Sequence, residues 1–134
     1  MAGVIVLDAS VLIAYLDAND LHHETAEMLL AREIDDELAV NPLTLAEVLV
    51  GPARDGRLES VLAVLDDLEI TTLSFPGSAA VRLARLRVTT KLRIPDCCVL
   101  LSAHEEAARV ATFDTRLLHA AERYGLVVLG QGQN

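Results

Sequence analysis

The 134-residue chain predicts a single α/β domain, with helices packed on a mainly parallel sheet. Two observations point there. Short runs rich in Val, Ile and Leu alternate with longer stretches in which apolar residues recur at helical spacing. The first run, Val4-Ile5-Val6-Leu7, is apolar at every position, as a strand buried on both faces would be.

Taken in order, Val4 to Leu7 is the first strand, and Asp8-Ala9-Ser10 punctuates it. Val11 to Asp17 reads as a helix with Ser10 as its N-cap. His23 to Asp35 reads as a second helix, with Ala26, Leu29, Leu30 and Ile34 inward. Leu38 to Val40 is a short strand; Asn41-Pro42 breaks the chain, and Leu43 to Ala53 resumes helix. Gly56 to Leu68 gives another helix, with Leu58, Val61, Leu62 and Leu65 at helical spacing. Ile70 to Leu73 is strand-like, and Pro76-Gly77 opens a helix that runs to Lys91. Pro95 suits the first turn of the next helix, which ends near Ala107. Arg109 to Phe113 is a strand, Thr115 to Tyr124 a helix stopped by Gly125, and Leu126 to Leu129 a last strand. Residues 1–130 form the domain, and 131–134 are expected to be a frayed tail.

Composition narrows the function classes. Hydrophobic residues make up 52% of the chain and aromatic ones 3%, so the core must be built from Leu, Val, Ile and Ala. No apolar run approaches the ~18 residues that span a bilayer. The start, MAGVIVLDAS, has no basic residue before its apolar run and does not read as a signal peptide. A cytoplasmic protein with no membrane partner is expected. The two cysteines, Cys97 and Cys98, are adjacent, which disfavours a mutual bridge, and they read as small buried residues on a helix. The formal net charge of −9 argues against passive, sequence-blind binding to nucleic acid. It is compatible with an enzyme that meets nucleic acid through bound cations, and with a basic protein partner.

Parallel sheets bind ligands at the carboxyl ends of their strands. Asp8 directly follows the first strand, and Asp114 directly follows the fourth, with Thr112 two residues earlier. Glu47 lies on the helix after the second strand, and Asp96 in the first turn of the helix opened by Pro95. Helix starts after parallel strands face the same edge, so all four acids can converge there. Four carboxylates at one point repel unless cations join them. Hard oxygen ligands select Mg²⁺ or Mn²⁺, which can activate water and orient a phosphodiester.

Four segments then carry a resemblance. Val6-Leu7-Asp8-Ala9-Ser10-Val11-Leu12-Ile13-Ala14, Leu43-Thr44-Leu45-Ala46-Glu47-Val48, Leu92-Arg93-Ile94-Pro95-Asp96-Cys97-Cys98-Val99-Leu100 and Ala111-Thr112-Phe113-Asp114-Thr115-Arg116-Leu117 occur in that order. Together they resemble the PIN-domain ribonucleases, and among these the VapC toxins of VapBC toxin–antitoxin systems. The resemblance implies an α/β/α sandwich around a twisted, mainly parallel sheet of about five strands. It implies that Asp8, Glu47, Asp96 and Asp114 hold Mg²⁺ or Mn²⁺, with Ser10 and Thr112 supporting them. It implies an RNA substrate, a homodimer, and a VapB-like antitoxin that inhibits the toxin within a larger assembly. Cys97-Cys98 departs from the small residues more usual after the third acid. Thr115-Arg116 stands where some members carry a further acid, which leaves open whether one metal is held or two.

Around the quartet, Arg93 and Arg116 are the candidate RNA-binding cations because each neighbours an acid; Arg82, Arg85, Arg87 and Lys91 form a wider basic cluster. His22-His23 lacks a third ligand nearby and reads as a helix start, and no histidine is placed to be a general base. A phospho-accepting receiver domain would want paired acids after the first strand and a Lys ending a late strand, and neither is present. A housekeeping RNA-processing nuclease and a non-catalytic scaffold remain as alternatives.

Overall fold

A computed structural model of the protein describes residues 3–32 and 35–130. Five strands form one sheet in the order β3-β2-β1-β4-β5: β1 (Val4–Leu7), β2 (Glu37–Val40), β3 (Thr71–Thr72), β4 (Arg109–Ala111) and β5 (Val128–Leu129). Every pairing among the described residues is parallel. The chain fills one side of β1 first and then crosses to the other, so the strand order reverses between β1 and β4. In such sheets that reversal opens a crevice at the carboxyl edge.

Seven helices cover the sheet: α1 (Ala9–Leu16), α2 (His23–Arg32), α3 (Pro42–Arg54), α4 (Leu58–Asp67), α5 (Ala79–Thr90), α6 (Ile94–Glu105) and α7 (Thr115–Arg123). The pleat of β1 divides the core in two. Ile5 and Leu7 face one layer with Val11, Leu12, Leu29 and Val40, while Val6 faces the other with Leu100, Val110 and Leu117. That alternation explains why β1 is apolar throughout: both of its faces are covered. The three-layer α/β/α architecture is thus the expected one.

Several boundaries differ from the sequence reading for local reasons. Asp8, not Ser10, is the N-cap residue of α1; its side chain makes no cap bond. Ser10 lies inside the first turn and gives its hydroxyl to Asp8 instead. Asn41-Pro42 begins α3 rather than breaking the chain. Pro42 occupies the start, where a missing N–H costs nothing, and Asn41 Oδ1 accepts from Thr44 N at 2.8 Å. α5 starts at Ala79, after a turn closed by Ala79 N donating to Pro76 O. Past β4, Thr112 N still donates to Leu129 O, but the amides after it turn to side chains: Phe113 N donates to Ser10 Oγ, and Asp114 N to Thr112 Oγ1. β5 loses its first two residues because Leu126 N donates back to Ala121 O, closing the end of α7. In α2, Ala26, Leu29 and Leu30 are buried as expected, and Ile34 lies outside the described residues. In α4, Val61 and Leu65 are buried but Leu62 is 42% exposed. The expected tail, 131–134, also lies outside the described residues. No helix is long and apolar enough to cross a membrane among the described residues.

Candidate active site

β1 and β4 are hydrogen-bonded neighbours with Leu7 opposite Ala111, so the residues just past them emerge side by side. Asp8 N donates to Ala111 O at 2.9 Å, which carries the pairing one step beyond the strands. Asp8 is 7% exposed. Its Oδ2 accepts two hydroxyls, Ser10 Oγ and Thr112 Oγ1, each at 2.8 Å. Thr112 is fully buried, and its Oγ1 also accepts from Asp114 N at 2.9 Å. Ser10 Oγ in turn accepts from Phe113 N at 3.0 Å. Two hydroxyls therefore weld the ends of β1 and β4 together and aim the Asp8 carboxylate.

The other Asp8 oxygen, Oδ1, takes no hydrogen bond from the described residues. No buried side-chain oxygen or nitrogen among them lacks a partner, so Oδ1 opens to solvent. Asp114 is divided in the same way. Its Oδ1 caps α7, accepting from Arg116 N at 2.9 Å and Leu117 N at 3.3 Å, and its Oδ2 is left over. Asp114 is both a helix cap and a member of the acid cluster, a double duty its place at a helix start allows.

Glu47 is carried on α3, which Asn41 starts from the end of β2. Asn41 is fully buried; besides accepting from Thr44 N, it donates through Nδ2 to Thr44 Oγ1 at 3.0 Å. Asp96 is half-buried in the first turn of α6, behind Pro95. The four acids feel one another. Burial, then the charges of Asp8 and Asp114, hold the Asp96 carboxyl above its ordinary value, with a smaller push from Glu47. Burial and the Asp8 charge raise Glu47 in the same direction. The quartet thus gathers at the carboxyl edge around the β1–β4 reversal.

Among the described residues no three of His, Cys, Asp and Glu stand close enough to make a ready metal cage. The donor set suits a cation that does not need one. It is all carboxylate oxygen, two of those oxygens are open, and among the described residues four acids stand against the one cation, Arg93, whose charge acts on Glu47 and Asp96. Mg²⁺ keeps several waters and binds through one or two carboxylates. The residues therefore fit a water-rich hard cation better than a protein-enclosed one.

The basic residues separate. Arg93, the residue before α6, lowers the proton affinity of both Glu47 and Asp96 by its charge, and no ion pair with the described residues holds it. Arg116 is exposed in the first turn of α7, and its guanidinium is not among the charges acting on either acid. Arg82 is committed elsewhere, bonded to Glu105 at 2.6 Å and to His104 Nδ1 at 3.3 Å. Glu105 ends α6, about 14 Å along the helix from Asp96. Arg87 closes the α5–α6 link through Lys91 O and Leu92 O. Cys97 and Cys98 are buried and unbridged, and burial pushes the Cys98 thiol up to about 11, so neither is a nucleophile at neutral pH.

Two contacts have no local sequence signal. Asn41 reads as a turn residue, and its complete burial follows only from the packing of α3. His22, read as a simple helix start, stacks its ring on Phe113 with centroids 4.7 Å apart and planes 24° off parallel. Its neighbour His23 does start α2, with Nδ1 against Ala14 O at 2.7 Å and Nε2 3.4 Å from Glu27.

The chain matches the PIN domain family model over residues 5–123. No curated protein matches it. Among solved structures, a toxin–antitoxin complex from Klebsiella pneumoniae is similar at 22% identity and a TM-score of 0.70, over 83% of this chain and 87% of that one. VapC20 of Mycobacterium tuberculosis, described as a sarcin–ricin loop cleaving toxin, aligns at 16% identity and a TM-score of 0.74, over 87% and 94%. VapBC2 of Rickettsia felis, bound to a DNA fragment from its promoter, aligns at 16% and 0.67, over 93% and 96%. At these identities the structures share a fold with this chain, while the family model spans most of its length. The chain belongs to the PIN-domain family.

Proposed function

We propose that the protein is the toxin of a type II toxin–antitoxin pair, a divalent-metal-dependent endoribonuclease that hydrolyses RNA phosphodiester bonds. The observation that carries this reading is the acid quartet at the carboxyl edge, with Glu47 and Asp96 held above their ordinary proton affinity partly by Asp8. Carboxylates that repel one another in a structure are stabilised when a cation binds, and a phosphodiester brings further oxygens to it. The toxin–antitoxin structures of the same fold support the biological setting.

In this reading Asp8, Glu47, Asp96 and Asp114 hold Mg²⁺ or Mn²⁺, which when bound supplies a lowered-pKa water and charge for the leaving oxygen. The chain's own groups do the positioning. Ser10 and Thr112 fix the orientation of the Asp8 carboxylate, so its open Oδ1 points the same way in every molecule. Arg93 offers a guanidinium at the lip for a substrate phosphate. No histidine is placed to be a general base, so proton removal from the attacking water would fall to the metal and one carboxylate of the quartet. A VapB-like antitoxin would inhibit by laying a basic segment against the quartet, and the toxin would act as a homodimer in the cytoplasm.

The test is incubation of purified protein with total cellular RNA in Mg²⁺, Mn²⁺ or EDTA, beside Asp8→Asn. Cleavage that needs metal and vanishes in the variant is the expected outcome. Cleavage that survives EDTA or Asp8→Asn would sink the assignment.

A further inference from the structure

We propose that the exposed His22 ring, stacked on Phe113, is a platform for an unpaired nucleobase of the RNA next to the scissile phosphate. The inference rests on the nuclease reading above and adds a binding subsite to it. Four observations carry it. First, Phe113 stands between Thr112 and Asp114, and its amide donates to Ser10 Oγ, the hydroxyl that holds Asp8. The aromatic pair is thus joined to the acid cluster through a short chain of bonds.

Second, the stack is layered. Phe113 is partly buried against the first core layer, and His22 covers it from outside as an exposed residue. Neither ring nitrogen of His22 has a hydrogen-bond partner among the described residues. A flat ring backed by another ring and open on its outer side is the surface on which a splayed base stacks. Third, the loop is preset. Asn19 N donates to Asp17 Oδ1, His22 N to Asp20 Oδ1, and Ala26 N to His22 O, so little ordering remains to be done on binding.

Fourth, the charge balance calls for a contact of this kind. The chain carries a formal net charge of −9, and among the described residues Arg93 is the basic side chain whose charge acts on Glu47 and Asp96. On a chain of this charge, stacking adds affinity without needing a further cation. Aromatic residues are also scarce: two Phe, two Tyr and no Trp. One of those four sits beside Asp114 with a histidine laid on it.

The test begins with wild-type protein and cellular RNA, from which a cut site is mapped. Single-stranded oligonucleotides spanning that cut are then made intact and with one abasic nucleotide at each flanking position. His22→Ala should raise KM for the intact oligonucleotide by about tenfold or more, with kcat little changed. His22→Tyr, which keeps a stacking ring, should restore KM. With the abasic nucleotide at the stacked position, wild type and His22→Ala should converge, while at other positions their difference should persist. Wild-type KM in His22→Ala, no rescue by His22→Tyr, or a difference that no abasic position removes would each overturn the platform. If the wild type cuts no RNA, the nuclease reading falls first and the platform with it.

Discussion

Thr112 Oγ1 donates to Asp8 Oδ2 at 2.8 Å and accepts from Asp114 N at 2.9 Å, so one fully buried hydroxyl ties together the two acids that end β1 and β4. Thr112→Val keeps the shape and removes both bonds. Asp8 Oδ2 keeps the Ser10 hydroxyl, but Asp114 N loses its partner, which should cost about 1–3 kcal/mol of stability, read by urea denaturation. Mg²⁺ affinity, read by the metal dependence of Tm, should fall by about 10–100-fold, the usual loss when a carboxylate loses its orienting partner. Thr112→Ser should recover most of both. Wild-type metal affinity in Thr112→Val would show that the hydroxyl is only packing.

The raised proton affinities of Glu47 and Asp96 have a defined sign. Folding raises both above their ordinary values of 4.5 and 3.8, so the folded state binds protons more tightly than the unfolded one. Their contribution to stability is full below those ordinary values and is lost as pH rises through the folded ones. The Tm of metal-free protein should therefore fall as pH rises above about 4, and Asp96→Asn should flatten that slope. At pH 7 without metal, Asp96→Asn should melt higher than wild type, and with saturating Mg²⁺ it should gain less. A wild-type slope in Asp96→Asn would remove the case for repulsion at this edge.

Much of this edge was readable because each acid ends or follows an apolar run, where the topology of a parallel sheet leaves few places to go. Asp8 and Asp114 are the clearest, being the first polar residues after β1 and just past β4. Ser10 and Thr112 were legible as small polar neighbours, but their partners were not. A serine after an apolar strand reads as an N-cap, and only the fold brings Asp8 Oδ2 within its reach. Adjacency in sequence also misleads about charge. Arg93 and Arg116 each neighbour an acid in sequence, yet the charge acting on Glu47 and Asp96 is that of Arg93, while Arg116 stays beside Asp114 through its backbone amide. The His22–Phe113 stack joins the turn before α2 to the end of β4, and no periodicity links two such positions.

Asn41 supplies a third prediction, because it anchors the helix that carries Glu47. Its side chain both caps α3 and donates to the Thr44 hydroxyl, with no exposure to water. Asn41→Ala should cost about 1–2 kcal/mol for the cap, plus the penalty of leaving the buried Thr44 groups without a partner. Asn41→Asp keeps the acceptor and should cost less by thermal melting. Equal losses in the two variants would assign the role to the Nδ2 donor alone.

Gly130 touches the site from the far side of β4. Its φ is +98°, and a Cβ built there would lie 2.9 Å from Thr112 O, 3.2 Å from Phe113 Cε1 and 3.3 Å from Leu29 Cδ1. The first of these is backbone and cannot swing aside, so Gly130→Ala must push the end of β4 or move itself. Either way it combines a backbone strain with a collision beneath Thr112, and the cost should exceed about 1 kcal/mol. The loss should extend to function, because the displaced backbone is the one whose Thr112 hydroxyl aims Asp8. Gly130→Ala should therefore lower both Tm and the Mg²⁺-dependent gain in Tm. Gly56→Ala is the control: Gly56 also has a positive φ, of 73°, but nothing lies within 4 Å of its added Cβ. It should lose stability through strain while keeping the full metal response. If both variants lose stability and both keep that response, strain explains everything at Gly130, and the close approach to Thr112 has no part in shaping the site.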